Sequence, residues 1–408
     1  MVEQIATLSK KNLLERADDF IFSTGVDDGA SQLAKKNMRY GIAQMHIILE
    51  KYGFEPKASF ISTPDETISR NVYRWNSGFG YGGRISWGGG NNKIIFLNTK
   101  PNQCGILVGG LEYVPELKEL IKKINIINQE ELYYQDILLN LDYGVSNHFI
   151  NCFKTKNMGE INFPPYIFMI HGSAPEVRDD TYGLGMYVDS SKNLKDRAIK
   201  EETIFGTQFI LLDDAASEYM KLNNKIVKFA NIKRKIFAEH IFGEDYKLIC
   251  SQPHQFLYDY NNIYLGCNCT DINSELVENN FFPIALRADA PAYLFRGKRN
   301  FSDSVIRKLN FYERADKLGL MNLLKNANVL PHGGGYCFPD IKKVTKVLEI
   351  NKKRYFVCEL NGSDGKKIFR NAKNLQYEYR SEKIIEEVIK LNLGEGIAKL
   401  EPLYSLKV

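Results

Sequence analysis

Four residues of this 408-residue chain carry side chains suited to a transition metal, and each sits where an apolar run meets a polar turn. Cys104 follows the strand-like Ile94-Ile95-Phe96-Leu97 and precedes Gly105-Ile106-Leu107-Val108. His148 stands in Asn147-His148-Phe149-Ile150, and His171 ends the run Tyr166-Ile167-Phe168-Met169-Ile170. His254 follows Leu248-Ile249-Cys250-Ser251-Gln252-Pro253. The chain holds only six histidines, so three at strand-like ends is a large share. Thiolate and neutral imidazole suit manganese, zinc or iron. The spacings are not those of a finger or ribbon, so such a centre has to be assembled from distant segments. Each residue alone has a plainer reading: a hydrogen-bonded histidine at a strand end, or a cysteine acting as a small core hydrophobe. Cys267-Asn268-Cys269 offers two close thiols, but no second pair completes a zinc site, and the tripeptide reads as structural.

A second candidate is His332-Gly333-Gly334-Gly335-Tyr336. The glycines expose the imidazole and let backbone amides meet an anion. An imidazole so placed can act as nucleophile or general acid. The competing reading is a turn led by Pro331. There is no Walker A loop and no dinucleotide fingerprint, and Gly172-Ser173 lacks the nucleophile elbow.

The elements that position these residues follow from periodicity. Residues 30–52 read as an amphipathic helix ending at Gly53. Residues 58–110 are short β-prone pieces cut by glycines, with Tyr81 and Trp87 available for stacking or, more plainly, for the core. One or two helices are expected over 114–140, strands near 145–153 and 164–171, and a long helix over 208–242 broken around Asn223-Asn224. Further strands are expected near 247–251, 262–266, 283–287 and 292–296, a helix over 304–327, a hairpin over 342–350 and 353–360, and a helix near 380–392. Helices and strands mix without βαβ alternation, which predicts an α+β fold: one large domain over 1–408 with a mixed or antiparallel sheet core surrounded by helices.

A 44% hydrophobic content allows a large core, and 25% charged residues are ordinary for a soluble chain. A net charge of +5 does not by itself argue for nucleic acid. Two local clusters do more: Lys225, Lys228, Lys233, Arg234 and Lys235, and Arg296-Gly297-Lys298-Arg299. Either lines a phosphate channel or is a solvated face. Seven cysteines in dissimilar contexts are not a disulfide framework and fit a reducing cytosol. Met1-Val2-Glu3-Gln4 carries no basic-then-apolar signal, and no apolar run nears the ~18 residues needed to span a bilayer. A cytoplasmic protein that does not enter the membrane is expected.

From about residue 94 onward, the order of these segments resembles the RtcB-type GTP-dependent RNA ligases. Asn147-His148-Phe149-Ile150 is similar to that family's Asn-His-Phe-Ile/Leu-Glu, and Met169-Ile170-His171-Gly172-Ser173 to its Ile-His-Ser-Gly-Ser. Phe229-Ala230-Asn231 with Lys233-Arg234 resembles its helical Tyr-Ala-x-x-Asn-Arg, and Pro253-His254-Gln255-Phe256 its Ser-His-Asn-hydrophobic element. Cys104-Gly105 resembles the end of Asp-x-Gly-Cys-Gly. Ala398-Lys399-Leu400-Glu401-Pro402-Leu403 with Lys407 resembles the Ala-Arg-Leu-x-Pro ending and its terminal lysine. The part before about residue 110 diverges most.

The resemblance implies a site of one or two Mn²⁺ ions, or Zn²⁺, held by Cys104, His148, His171 and His254, with Cys104 bridging a pair. It implies guanine-nucleotide contacts from Asn147 and Lys407 and a GTP-derived guanylate on a histidine, for which His332 is the candidate. The implied partner is RNA, a tRNA or broken RNA ends, whose 3′-phosphate or 2′,3′-cyclic phosphate is joined to a 5′-hydroxyl in tRNA splicing or RNA repair. The chain departs from the pattern at several points. The family's aspartate ligand falls near Pro101 or Asn102, leaving Asn102, His332 or an acid such as Glu176 to complete the shell. Its Gly-Ser-Arg-Gly is Gly172-Ser173-Ala174-Pro175, its Arg-Lys-Gly-Ala is Gly266-Cys267-Asn268-Cys269, and its Pro-Gly-x-Met-Gly loop is replaced by residues 286–291. The stretch 301–314, where the family's nucleophilic histidine belongs, has none, and His332 comes late. A metal-dependent phosphoester hydrolase without guanylylation and a non-catalytic RNA-binding paralogue are the competing expectations.

Overall fold

The computed structural model of the protein describes residues 5–183 and 185–407; the leader reading at Met1-Val2-Glu3-Gln4 falls outside the described residues. The fold is α+β, as expected. Its centre is a seven-stranded sheet in the order Lys247–Pro253, Gly105–Leu111, Tyr166–Gly172, Phe149–Asn157, Gly394–Leu406, Ala292–Gly297 and Phe281–Ile284. Every pairing in it is antiparallel. A five-stranded sheet runs Ile21–Phe22, Ser59–Ile68, Gly80–Ser86, Asn262–Leu265 and Gln255–Asp259, with its first pair parallel.

Both faces of the central sheet are covered, so its strands read as continuous apolar runs instead of alternating ones. Ile106, Val108, Ile167, Met169, Leu294 and Leu400 share one buried cluster. Leu107, Phe168 and Ile170 belong to the main cluster on the other face, with Phe237 and Ile241 of the helix Asp213–Phe242. A third cluster joins Leu33 of the helix Gly29–Lys51 to Trp75, Tyr336, Phe356 and Cys358.

Three expectations need correction. The region 114–140 holds one helix, Leu117–Gln129, followed by a short hairpin of Tyr133–Tyr134 and Ile137–Leu138. Gln135 and Asp136 adopt positive φ (49° and 63°), the backbone of a tight hairpin turn rather than of a second helix. The stretch 208–242 is a strand, Gly206–Leu212, and then one unbroken helix, Asp213–Phe242. Asn223 does not break it: its side chain is buried, donates to Leu257 O at 2.8 Å and accepts from Gln103 at 2.9 Å. The region 304–327 is three short helices, Asp303–Lys308, Tyr312–Leu318 and Met321–Lys325. Asn310 (φ 56°) and Gly319 (φ 70°) end the first two in left-handed conformation.

The hairpin falls where its pattern placed it, Ile341–Ile350 and Lys353–Leu360 about Asn351-Lys352, both with positive φ. All seven cysteines are free thiols. Among the described residues no helix is long and apolar enough to cross a membrane.

Candidate metal centre

Register explains how Cys104, His148, His171 and His254 meet. Gly105 pairs with both Gly172 and Pro253, and His171 pairs with both Ile106 and Phe149. Three neighbouring strands therefore present Cys104, His148 and His171 at the same end of the central sheet. His254 stands between Pro253 and Gln255, where the chain passes from the seven-stranded to the five-stranded sheet. Its backbone N–H donates to Cys104 O at 2.9 Å. Gln103, with φ 60°, turns the chain just before Cys104.

The donor atoms of Cys104, His148 and His171 all lie within 4.8 Å of one another. Cys104 Sγ is 2.9 Å from His171 Nε2 and 3.3 Å from His148 Nε2. His171 Nε2 is 3.2 Å from His254 Nε2. The four are buried, His254 completely. The far nitrogens are engaged: His148 Nδ1 lies 3.0 Å from Asp142 Oδ2, and His171 Nδ1 donates to Asn147 O at 3.0 Å. That arrangement turns both Nε2 atoms inward, as a metal-ligating imidazole requires. His254 Nδ1 is buried without a hydrogen-bond partner.

Electrostatics favour the same use at His171 and His254, whereas a metal at His148 would have to displace a proton. Burial, reinforced by neighbouring imidazoles, pushes His171 and His254 well below the ordinary histidine value, so both are neutral ligands. Burial also opposes a charge on His148, but the Cys104 sulfur and Asp142 outweigh it and raise the imidazolium to about 10. Asp142 itself is buried, yet Lys233 and His148 hold it well below the usual carboxylate range. Lys233 Nζ also lies 2.8 Å from Glu176 Oε1 and donates to Ser173 O. A thiol, two inward-facing imidazoles and a third within reach, in a dry site, fit a transition metal.

Two of the candidates for the missing ligand have other partners. Asn102 Oδ1 accepts from Cys104 N at 2.9 Å and so caps the turn. Glu176 Oε1 pairs with Lys233 and accepts from Asn140 N, while its Oε2 is buried without a hydrogen-bond partner. No carboxylate joins the Cys104-His148-His171 group among the described residues.

A cavity of about 770 Å³ opens beside the centre, lined by Cys104, His171, His332, Asn147 and Lys407 among others. Asn102, Asn147, His332 and Lys407 are thus on this wall with Cys104 and His171, His148 belongs to the cluster, and His254 adjoins it through His171; Glu176 is in neither. Lys407 Nζ donates to Ser146 O at 2.9 Å. His332 is held by Asp65, whose Oδ2 lies 2.9 Å from Nδ1, and its ring centroid is 4.6 Å from that of His254. Tyr81 meets it edge-on at 5.6 Å and donates to Gln255. The turn reading of the glycine run is incomplete. Val329–Pro331 pairs with Cys267–Cys269, placing His332 beside His254 and confirming the structural role of those two buried cysteines. Gly335 has φ 62°, and a Cβ there would come within 2.2 Å of Asp65 O. A Cβ on Gly334 would come within 2.3 Å of Arg380 O. The run lets this segment lie against the strand that carries Asp65.

Sequence reasoning missed Asp65 and Asp142. Asp65 sits where the ladder between Ser59–Ile68 and Gly80–Ser86 is interrupted, from Ser62 to Thr67. Pro64-Asp65-Glu66 inside the strand Ser59–Ile68 was the available signal, because proline in a strand marks a bulge. The helix cluster also divides: Lys233 and Arg234 are buried, Lys235 pairs with Glu278, and only Lys225 and Lys228 are exposed. It forms no phosphate channel, since its register turns two of the five charges into the core. In the second cluster Arg296 pairs with Glu395.

No protein-family model matches the chain, and a search of curated proteins finds no match.

Proposed function

We propose that the chain is a metal-dependent enzyme of RNA ends: a divergent RNA ligase that joins a 3′-phosphate or 2′,3′-cyclic phosphate to a 5′-hydroxyl with GTP. The observation that carries this reading is that His332, paired with Asp65, lines one cavity together with Cys104 and His171 of the Cys104-His148-His171 group. Asp65 engages Nδ1 of His332, which leaves Nε2 as the nucleophilic nitrogen. In this reading Nε2 attacks the α-phosphorus of GTP, pyrophosphate departs, and the guanylate is passed to the RNA phosphate. Asn147 and Lys407 contact the nucleotide, and Arg178, on the same wall with its Nε unpartnered, neutralises phosphate charge.

A bound metal polarises phosphate oxygens and offsets charge developing on them. The resemblance implies Mn²⁺, whereas a thiolate with imidazoles and no carboxylate is the softer donor set that favours Zn²⁺. The three donors of the Cys104-His148-His171 group would hold one ion and leave a position for a phosphate oxygen, so one ion per chain is expected.

The test is incubation with α-labelled GTP and each divalent metal in turn. An acid-labile protein adduct is expected, absent in His332→Ala and formed roughly 10²–10⁴-fold more slowly in Asp65→Asn. No adduct with any metal rejects guanylylation. Release of phosphate from RNA ends without an adduct assigns hydrolysis on the same site.

A further inference from the structure

The segment 340–373 carries ten basic and four acidic residues, a net of +6 where the whole chain has +5. It contains an antiparallel sheet of Ile341–Ile350, Lys353–Leu360 and Lys366–Phe369. Val344, Phe356 and Cys358 turn into the core. Lys342, Lys343, Lys346, Lys353, Lys366 and Arg370 are exposed, and none forms an ion pair among the described residues. Two of the acids are already used, Asp340 by Lys367 and Glu349 by Lys10. Glu359 stands between Lys343 and Lys366 in the ladder, and Asp364 lies in the turn before the third strand. Ordinary surfaces intersperse the two signs; this one concentrates positive charge that is unpaired at close range.

The sheet also leads to the cavity. Just past its third strand, Arg370 O accepts from Trp75 Nε1 at 2.9 Å, which fixes that end against the helix Val72–Asn76. Three residues on, Lys373 lines the cavity wall together with Arg70. Arg70 Nε is buried without a hydrogen-bond partner, and its guanidinium lies 4.2 Å from the Tyr377 ring centroid and 5.6 Å from that of Tyr336. Tyr336 is itself tied to the strand of Asp65, since Thr67 Oγ1 donates to Tyr336 O at 2.8 Å. Thr67 is two residues from Asp65, about 7 Å along an extended strand. An arginine on a tyrosine platform, one short step from the nucleophile and fed by a basic sheet, is the equipment for gripping an unpaired strand by its phosphates and bases.

We infer that a single-stranded RNA crosses the outer face of this sheet and enters the cavity past Lys373 and Arg70. The inference rests on the RNA-end reading of the cavity and adds the path by which the strand arrives.

The experiment titrates salt against binding of a labelled single-stranded oligoribonucleotide, using the full chain. The variants are Lys342→Gln/Lys343→Gln/Lys346→Gln and, as a control of equal chemistry, Lys225→Gln/Lys228→Gln on the long helix. Each lysine that meets a phosphate contributes about 0.7 to the slope of log K against log salt, or about 5-fold in affinity at 0.1 M. The sheet variant is expected to lose up to about 100-fold and two units of slope, with circular dichroism and metal content unchanged; the helix variant is expected to bind as wild type. Equal affinity and slope in the sheet variant and wild type overturns the path while leaving the RNA-end reading intact. Losses in proportion to the charges removed, three against two, also overturn the path, because they show an unlocalised charge effect. A wild-type chain that binds no RNA even at low salt overturns both.

Discussion

At the scale of single residues, the centre depends on carboxylates that never touch the metal position. Asp142 fixes His148 through Nδ1 and is itself fixed by Lys233. Such partners set tautomer and ring orientation, and losing one typically costs 10–100-fold in metal affinity. Asp142→Asn is therefore expected to weaken Zn²⁺ or Mn²⁺ binding by about that factor, measured by competition with a chromogenic chelator. Unchanged affinity would mean His148 is oriented by packing alone. The ligating side chains were legible in the sequence because cysteine and histidine are scarce and stand out at strand ends. Their carboxylate partners were not: the chain has 49 acidic residues, and only tertiary contact distinguishes Asp65 and Asp142 from the rest.

At the scale of elements, apolar runs and turn residues located the long hairpin and six of the seven strands of the central sheet, since those signals are local; the tail that forms its strand Gly394–Leu406 was not read as a strand. The break imagined at Asn223-Asn224 and the single helix over 304–327 failed for opposite reasons. A buried partner rescued the asparagine, and left-handed residues that only the folded chain reveals cut the helix. The helix Gly29–Lys51 carries a measurable signature of its packing. His46 on it is fully buried, with Nε2 2.8 Å from Ala58 O, and burial lowers its value to about 3. The folded state thus binds fewer protons than the unfolded state between about pH 6.5 and 3. Stability from this residue is complete above pH 6.5 and falls as pH drops through that window, by up to about 1.4 kcal/mol per unit. Urea unfolding from pH 7 to pH 4 is expected to show a shallower loss for His46→Gln than for wild type. Parallel curves would place the acid sensitivity elsewhere.

At the scale of the whole molecule, a metal that binds only the folded chain adds to its stability. At a hundred times Kd the gain is about 2.7 kcal/mol, which for a chain of this length is about 3 °C in Tm. Differential scanning fluorimetry is expected to show that shift on loading the chelated protein, and none for Cys104→Ala. A shift retained in the variant would place the bound ion at another site.

The strand Gly394–Leu406 lies in the middle of the central sheet, between Phe149–Asn157 and Ala292–Gly297. A ribosome adding ~5–20 residues per second needs roughly 10–50 s to travel from His171 to that strand. Throughout that interval the edge of Phe149–Asn157 waits unpaired, and once Ala292–Gly297 is made its edge waits as well. A chaperone that shields the waiting edges would then protect the central sheet until its last-made strand arrives.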